Sequence, residues 1–161
     1  HVVAFDPCPD REWARARDVR ITADVDEVFA AADFLVLAAP LTPQTARIAD
    51  RRRLSLMKPE AYLINTARGG LVDESALAAA VSSGHLAGAA VDTFSEEPLP
   101  PDSPLRAKGI TITPHLAASS IETAANVSRI LARNVVDILL GGRREIAVNY
   151  GRIPARATPQ D

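Results

Sequence analysis

Two residues far apart in the sequence, Glu97 and His115, offer the parts of an acid–base pair. Interconverting an alcohol and a carbonyl by hydride transfer requires one group that takes a proton in one direction and returns it in the other. Histidine titrates near neutral pH and can do both. A neighbouring carboxylate would orient the ring and favour its protonated form. Taken alone, a histidine between a strand and a helix also suits a purely structural role. His1 is terminal, and His85 follows Gly84 at a helix end as a cap or exposed turn, so His115 is the candidate among the three histidines. Arg68 follows an apolar run and precedes Gly69-Gly70. There a planar guanidinium fork could meet a carboxylate with two hydrogen bonds, while the glycines let the backbone turn closely under a ligand. The competing reading is a surface arginine in a Gly-Gly turn. Asp6 closes the first apolar run. An acidic residue at the end of the second strand of a dinucleotide-binding unit accepts from the ribose hydroxyls of NAD and repels the extra phosphate of NADP, and a turn aspartate before Pro7 is the alternative.

The elements that must position these residues alternate along the chain. Strands are expected at about 2–6, 33–39, 61–65, 86–92 and 110–113, with a short addition at Val19 to Ile21. Helices are expected over Asp10 to Arg17, Asp24 to Ala32 and Asp73 to Ser83, the last ended by Gly84. Asp24 with Glu27, and Ser119 with Glu122, have the spacing of capping boxes. The longest helix carries Ala124, Val127, Leu131, Val135 and Ile138 as an apolar stripe and stops at Gly141-Gly142, with Arg143 and Arg144 at its negative end. Prolines 98, 100, 101 and 104 make residues 93–108 a stiff loop rather than a helix. The pattern is α/β, with a mostly parallel sheet buried on both faces. In such sheets ligands bind beyond the carboxyl ends of the strands. Asp6, Ala39-Pro40, the Asn65 to Gly70 run, Asp92 and Pro114-His115 all fall at those ends, which implies one crevice.

Composition narrows the alternatives. The 161 residues are 47% hydrophobic, enough for one ordinary domain that buries roughly 70% of its unfolded surface. A net charge of −2 argues against a nucleic-acid partner, which would need a basic face, and Arg51-Arg52-Arg53 reads as a solvated helix start. No apolar run approaches the roughly 20 residues that span a bilayer, and the longest, Phe34 to Pro40, reads as a buried strand. The lone Cys8 cannot form an internal disulfide and fits a reduced, cytoplasmic setting. No metal site is expected, because the histidines are isolated. Ser75, Ser119 and Ser120 are explained as caps, and no Gly-x-Ser-x-Gly elbow occurs, so a serine hydrolase is rejected.

The runs Val3-Ala4-Phe5-Asp6-Pro7, Ala39-Pro40-Leu41-Thr42-Pro43-Gln44-Thr45, Leu63 through Glu74, Ala89 through Leu99 and Thr113-Pro114-His115-Leu116-Ala117, in that order, resemble the NAD-binding domain of the D-isomer-specific 2-hydroxyacid dehydrogenases. The resemblance covers about residues 1–150. It implies a partial Rossmann-type, doubly wound parallel sheet lacking its first strand and phosphate-binding loop. Residues 1–148 would be a partial NAD-binding domain, and 149–161 would lead back toward a substrate domain. It implies catalytic roles for Arg68 on the substrate carboxylate, His115 as acid/base and Glu97 as its support. Glu96 lies outside the family's Glu-Pro position and reads as a solvated loop charge. Asp6, Ala39, Pro40, Thr66, Ala67, Arg68, Asp92, His115 and Ala117 would line NAD, with Asp92 beside the nicotinamide carboxamide. Many relatives carry glycine where Ala117 stands. The implied partners are a small 2-hydroxy or 2-keto acid and a second copy of the chain in a homodimer, with no nucleic acid and no membrane. Glu97 in place of glutamine favours hydroxyacid enzymes over formate dehydrogenases. The Glu96-Glu97-Pro98-Leu99-Pro100 run looks more like the phosphoglycerate, glyoxylate or hydroxypyruvate branch than the D-lactate branch. A non-catalytic, NAD-sensing corepressor on the same fold is the alternative reading, and a generic dinucleotide domain of another oxidoreductase is a third.

Overall fold

The computed structural model describes residues 1–140 together with Arg143 and Ile146. Residues His1–Ala117 form one compact unit and the chain from Ala118 a second. In the first, strands β1 (Val2–Phe5), β2 (Val19–Thr22), β3 (Phe34–Leu37), β4 (Tyr62–Asn65), β5 (Gly88–Val91) and β6 (Ile110–Ile112) alternate with helices α1 (Arg11–Ala16), α2 (Val25–Ala31), α3 (Arg51–Leu56) and α4 (Glu74–Ser82). Every pairing is parallel, with an α-helix in each crossover except that from β5 to β6, which carries only a 3-10 turn. The strands divide into a pair, β1-β2, and a four-stranded sheet in the order β3-β4-β5-β6, not the single sheet expected. Among the described residues no strand pairs with the outer edge of β1 or of β3.

The caps at Asp24 and Asp73 form where expected, and Asp10 caps α1 in the same way. Asp10 accepts from the Trp13 amide, Asp24 from Asp26, and Asp73 from Ala76, each satisfying a donor that a helix start leaves unpaired. The box at Asp24 does not close, because Glu27 is drawn instead to the Arg20 guanidinium and the Thr22 hydroxyl. That hydroxyl accepts from the Asp24 amide at 3.1 Å. A cap at Asp50, accepting from Arg53, starts α3, the helix foreshadowed by the arginine run. Arg52 and Arg53 are not merely solvated, since both bind Asp26 and tie α3 to α2. Gly84 ends α4 in the left-handed region, at φ 77°. Within the proline-rich loop, Pro104–Arg106 form a 3-10 turn, with Ser103 capping Leu105.

The core lies on one face of the four-stranded sheet. Leu35, Leu63, Ala89 and Val91 point into it and meet Leu54, Leu71, Leu77 and Leu105. On the opposite face Phe34 and Val36 are exposed, at 69% and 59%, and the Phe34 and Tyr62 rings stack with centroids 5.4 Å apart. Phe34 to Pro40 is therefore not a strand buried on both sides. A strand's side chains alternate between faces, and the helices of this unit cover only the Leu35 and Leu37 side.

In the second unit, α5 (Ile121–Leu139) is capped by Ser120, whose hydroxyl accepts from Thr123, one residue later than the expected Ser119. None of its residues is buried, and the stripe members Val127, Leu131 and Val135 are exposed. Arg143 lies within reach of Asp137. Gly141, Gly142, Arg144 and the segment 149–161 lie outside the described residues.

Candidate active site

Three loops at the carboxyl ends of β4, β5 and β6 build the site. The parallel register aligns Asn65 with Val91 and Val91 with Ile112, so the loops that follow leave the same edge of the sheet. The first begins at Asn65, whose side chain is buried. Its Nδ2 donates to the Arg68 carbonyl at 2.9 Å and its Oδ1 accepts from the Ala67 amide at 3.1 Å. One amide side chain thus folds Thr66-Ala67-Arg68 into a fixed loop. The Arg68 side chain is exposed, and its Nη1 donates to the Ala67 carbonyl at 2.6 Å. One nitrogen of the fork is therefore tied to its own loop, while the side chain as a whole stays exposed.

Gly69 explains how this loop meets the next. A Cβ built there would lie 1.9 Å from the carbonyl carbon of Phe94 and 2.3 Å from the Ser95 nitrogen. Only a residue without a side chain lets these two backbones touch. Glu74, at the start of α4, accepts from the Ser95 amide at 2.7 Å and secures the same contact from the other side.

Phe94 carries the chain of contacts onward. Its amide donates to Glu97 Oε1 at 3.2 Å, and the other oxygen, Oε2, lies 2.9 Å from His115 Nδ1. One carboxylate therefore grips a backbone donor and the imidazole together. Its hydrogen bond to His115, and then that from Phe94, hold the Glu97 carboxyl below its ordinary range. With Nδ1 engaged, Nε2 is the ring nitrogen left to work on a substrate.

His115 itself adopts φ 56°, a left-handed conformation that costs a non-glycine residue about 1–3 kcal/mol. Asp92 supplies the restraint. Its Oδ1 accepts from the Thr113 hydroxyl and from the Leu116 amide at 2.8 Å, and its Oδ2 accepts from the Ala117 amide at 2.9 Å. Burial pushes this carboxyl up, but those hydrogen bonds outweigh it and hold the group below its ordinary range. Asp92 thus fastens residues on both sides of His115.

The remaining expected residues lie apart from this pair. Asp6 follows β1, where its Oδ1 accepts from the Cys8 amide at 2.8 Å, the strand-end turn that was the alternative reading. Ala39 and Pro40 follow β3, and the Pro40 carbonyl accepts from the Thr45 hydroxyl at 2.7 Å. His85 reaches the Leu54 carbonyl at 3.2 Å, Glu96 is exposed, and no metal-binding cluster occurs among the described residues. Sequence reasoning missed the holding roles of Asn65, Gly69 and Glu74. A buried asparagine closing an apolar strand was the available signal for the first; the other two act across the fold.

The family description "D-isomer specific 2-hydroxyacid dehydrogenase, NAD binding domain" matches residues 1–117. The chain belongs to this family. It is 39% identical over 155 residues to D-3-phosphoglycerate dehydrogenase of Methanocaldococcus jannaschii, covering 96% of this chain and 29% of that protein. It is 40% identical over 127 residues to glyoxylate reductase of Thermofilum pendens, covering 78% and 38%. Among solved structures, apo D-mandelate dehydrogenase of Rhodotorula graminis superposes with a TM-score of 0.79 at 30% identity, covering 87% of this chain and 41% of that one. The NAD-complexed D-isomer specific 2-hydroxyacid dehydrogenase of Lactobacillus delbrueckii gives 0.75 at 32% identity, covering 87% and 46%. These relatives are dehydrogenases and reductases, and the chain spans less than half the length of each. The fold is the α/β, Rossmann-like arrangement of their NAD-binding domains. No helix among the described residues is long and apolar enough to cross a membrane.

Proposed function

We propose that this chain is the larger part of the NAD-binding domain of a D-2-hydroxyacid dehydrogenase that interconverts a small 2-hydroxy acid and its 2-keto acid. The observation that carries the reading is the Glu97–His115 pair, fastened by Asp92 at the carboxyl edge of a parallel sheet. The donor set along that edge fits the nicotinamide half of NAD: an acid–base histidine, a buried carboxylate and loop backbone at Ala39-Pro40, Thr66-Ala67 and Ala117. Asp6, after β1, fits a ribose diol. When bound, NAD supplies or accepts the hydride.

The protein's own residues do the rest. Arg68 binds the substrate carboxylate and polarises the adjacent carbonyl. His115 Nε2 gives a proton to the substrate oxygen in reduction and removes it in oxidation, while Glu97 keeps Nδ1 protonated and the ring in place. Asp92 acts on the nicotinamide side by holding the Leu116-Ala117 backbone. Among the described residues the outer edges of β1 and β3 are unpaired, which supports the view that a further strand, with the phosphate-binding loop, belongs between them. The identity to D-3-phosphoglycerate dehydrogenases and a glyoxylate reductase supports that branch as the source of the substrate. We include the homodimer and a cytoplasmic location in the same reading.

The test is NADH consumption by the full-length protein with glyoxylate, hydroxypyruvate and phosphorylated 2-keto acids. Turnover with at least one, lowered about 10²-fold or more by His115→Ala, is expected. NADH binding with no reduction of any keto acid in the panel would overturn the enzyme reading.

A further inference from the structure

Arg106 belongs to none of the runs that resemble the family, yet its side chain returns to the loop that carries Glu97. It sits in the 3-10 turn Pro104–Arg106, anchored by Leu105, whose side chain is buried in the core against α4. From that base the guanidinium donates through Nε to the Pro100 carbonyl at 2.8 Å and through Nη2 to the Leu99 carbonyl at 3.0 Å. Pro98, Pro100 and Pro101 have no amide hydrogen, so this segment depends on its carbonyls for hydrogen bonding. The Pro100 carbonyl also accepts from the Ser103 amide at 3.2 Å, which closes the turn below it, whereas Leu99 takes its carbonyl hydrogen bond from Arg106. Arg106, Glu97, Pro98, Leu99 and His115 border one cleft of about 530 Å³.

We propose that Arg106 is a positioning residue for the acid–base pair: its two-pronged hydrogen bonding to Leu99 and Pro100 fixes the segment that aims the Glu97 carboxylate at His115. The inference rests on the role of Glu97 and His115 proposed above. Both Arg106 hydrogen bonds end on backbone carbonyls, whereas the Glu97 carboxylate is held by Phe94 and His115, so Arg106 works through the geometry of the segment between them. A lysine, which keeps the charge but offers a single point in place of a planar fork, should not replace it.

The experiment is a double-mutant cycle in the full-length protein with Arg106→Ala, Arg106→Lys and Glu97→Gln. Both Arg106 variants are expected to lose kcat about tenfold with KM for NADH unchanged, and the Glu97→Gln/Arg106→Ala protein to be no slower than Glu97→Gln alone within about twofold. The downfield proton NMR signal of a carboxylate-bound His115 Nδ1–H should weaken in both Arg106 variants. Arg106→Lys, which retains the side-chain stem, gives the measurement if Arg106→Ala does not fold. Wild-type turnover with an intact signal in the Arg106 variants, or additive losses in the double variant, would overturn the proposal. If Glu97→Gln leaves turnover unchanged, the catalytic reading of Glu97 fails. The NMR signal still decides whether Arg106 aims the carboxylate.

Discussion

Glu97 Oε2 lies 2.9 Å from Nδ1 of His115, and the opposite oxygen of the same carboxylate accepts from the Phe94 amide. A glutamine side chain in its place could keep one of these bonds but not the charge that stabilises an imidazolium. Glu97→Gln should lower turnover by at least about tenfold, less than the loss from removing the imidazole. The pH dependence has a definite sign. The Glu97 carboxyl is depressed in the folded protein, so the pair is fully formed above the ordinary glutamate value of about 4.3 and lost as pH falls through the lower folded value. A carbon NMR titration of this carboxyl should find its midpoint below about 4.3; a midpoint at or above that value would mean the pair does not form.

Asp92 spends both oxygens on the loop around His115. Asparagine has one acceptor oxygen, and its amide group would face either the Leu116 or the Ala117 N–H donor to donor. Asp92→Asn should therefore cost about 1.5–3 kcal/mol of stability, the range for hydrogen bonds to a charged group. It should also release the left-handed backbone of His115 and lower kcat. Thermal melting and steady-state kinetics check the two effects. Unchanged kcat despite a lowered melting temperature would separate Asp92 from catalysis.

Gly69 is the point where the Arg68 loop and the Glu97 loop touch. A methyl group there would collide with the Phe94–Ser95 backbone, which cannot rotate away as a side chain can. Gly69→Ala should cost about 3 kcal/mol, the upper end of overpacking penalties, and raise KM for the keto acid as Arg68 is displaced. Gly84→Ala is the control: the same added group finds open space, so only the strain of its positive φ remains and KM should not change. Equal KM effects from the two substitutions would remove the argument for close approach.

What could be read from the sequence was short in range. The caps at Asp10, Asp24 and Asp73 are legible because the donor each satisfies lies two or three residues away. Ser119 and Ser120 compete for the same task, and a one-residue choice between equals has no local signal. Phe34 and Val36 are expected inside because an unbroken apolar run marks a strand covered on both faces, but the run does not say what covers each face. Glu97 and His115 stood out by chemistry and by family resemblance. The residues that make them a pair do not, since Gly69 and Arg106 act through contacts with segments distant in the chain or through backbone carbonyls that every residue possesses. The hydrogen bonds by which Asp92 holds the residues around His115 likewise cross from one loop to another and leave no local signal.

Asp6 offers a direct test of cofactor choice. Its Oδ1 already accepts from the Cys8 amide, so the residue is both a turn former and a negative charge beyond the end of β1. Asparagine keeps the turn, because its side-chain oxygen can accept the same bond, and removes the charge alone. Asp6→Asn should therefore leave the melting temperature close to wild type while raising KM for NAD and lowering it for NADP. Loss of a charge opposite a phosphate should move the ratio of kcat/KM values by about tenfold, a change of about 1.4 kcal/mol. The direction matters more than the size: a ribose-binding carboxylate repels the extra phosphate of NADP, and only that role predicts opposite shifts for the two cofactors. Parallel shifts for both would show that Asp6 serves the turn and nothing more.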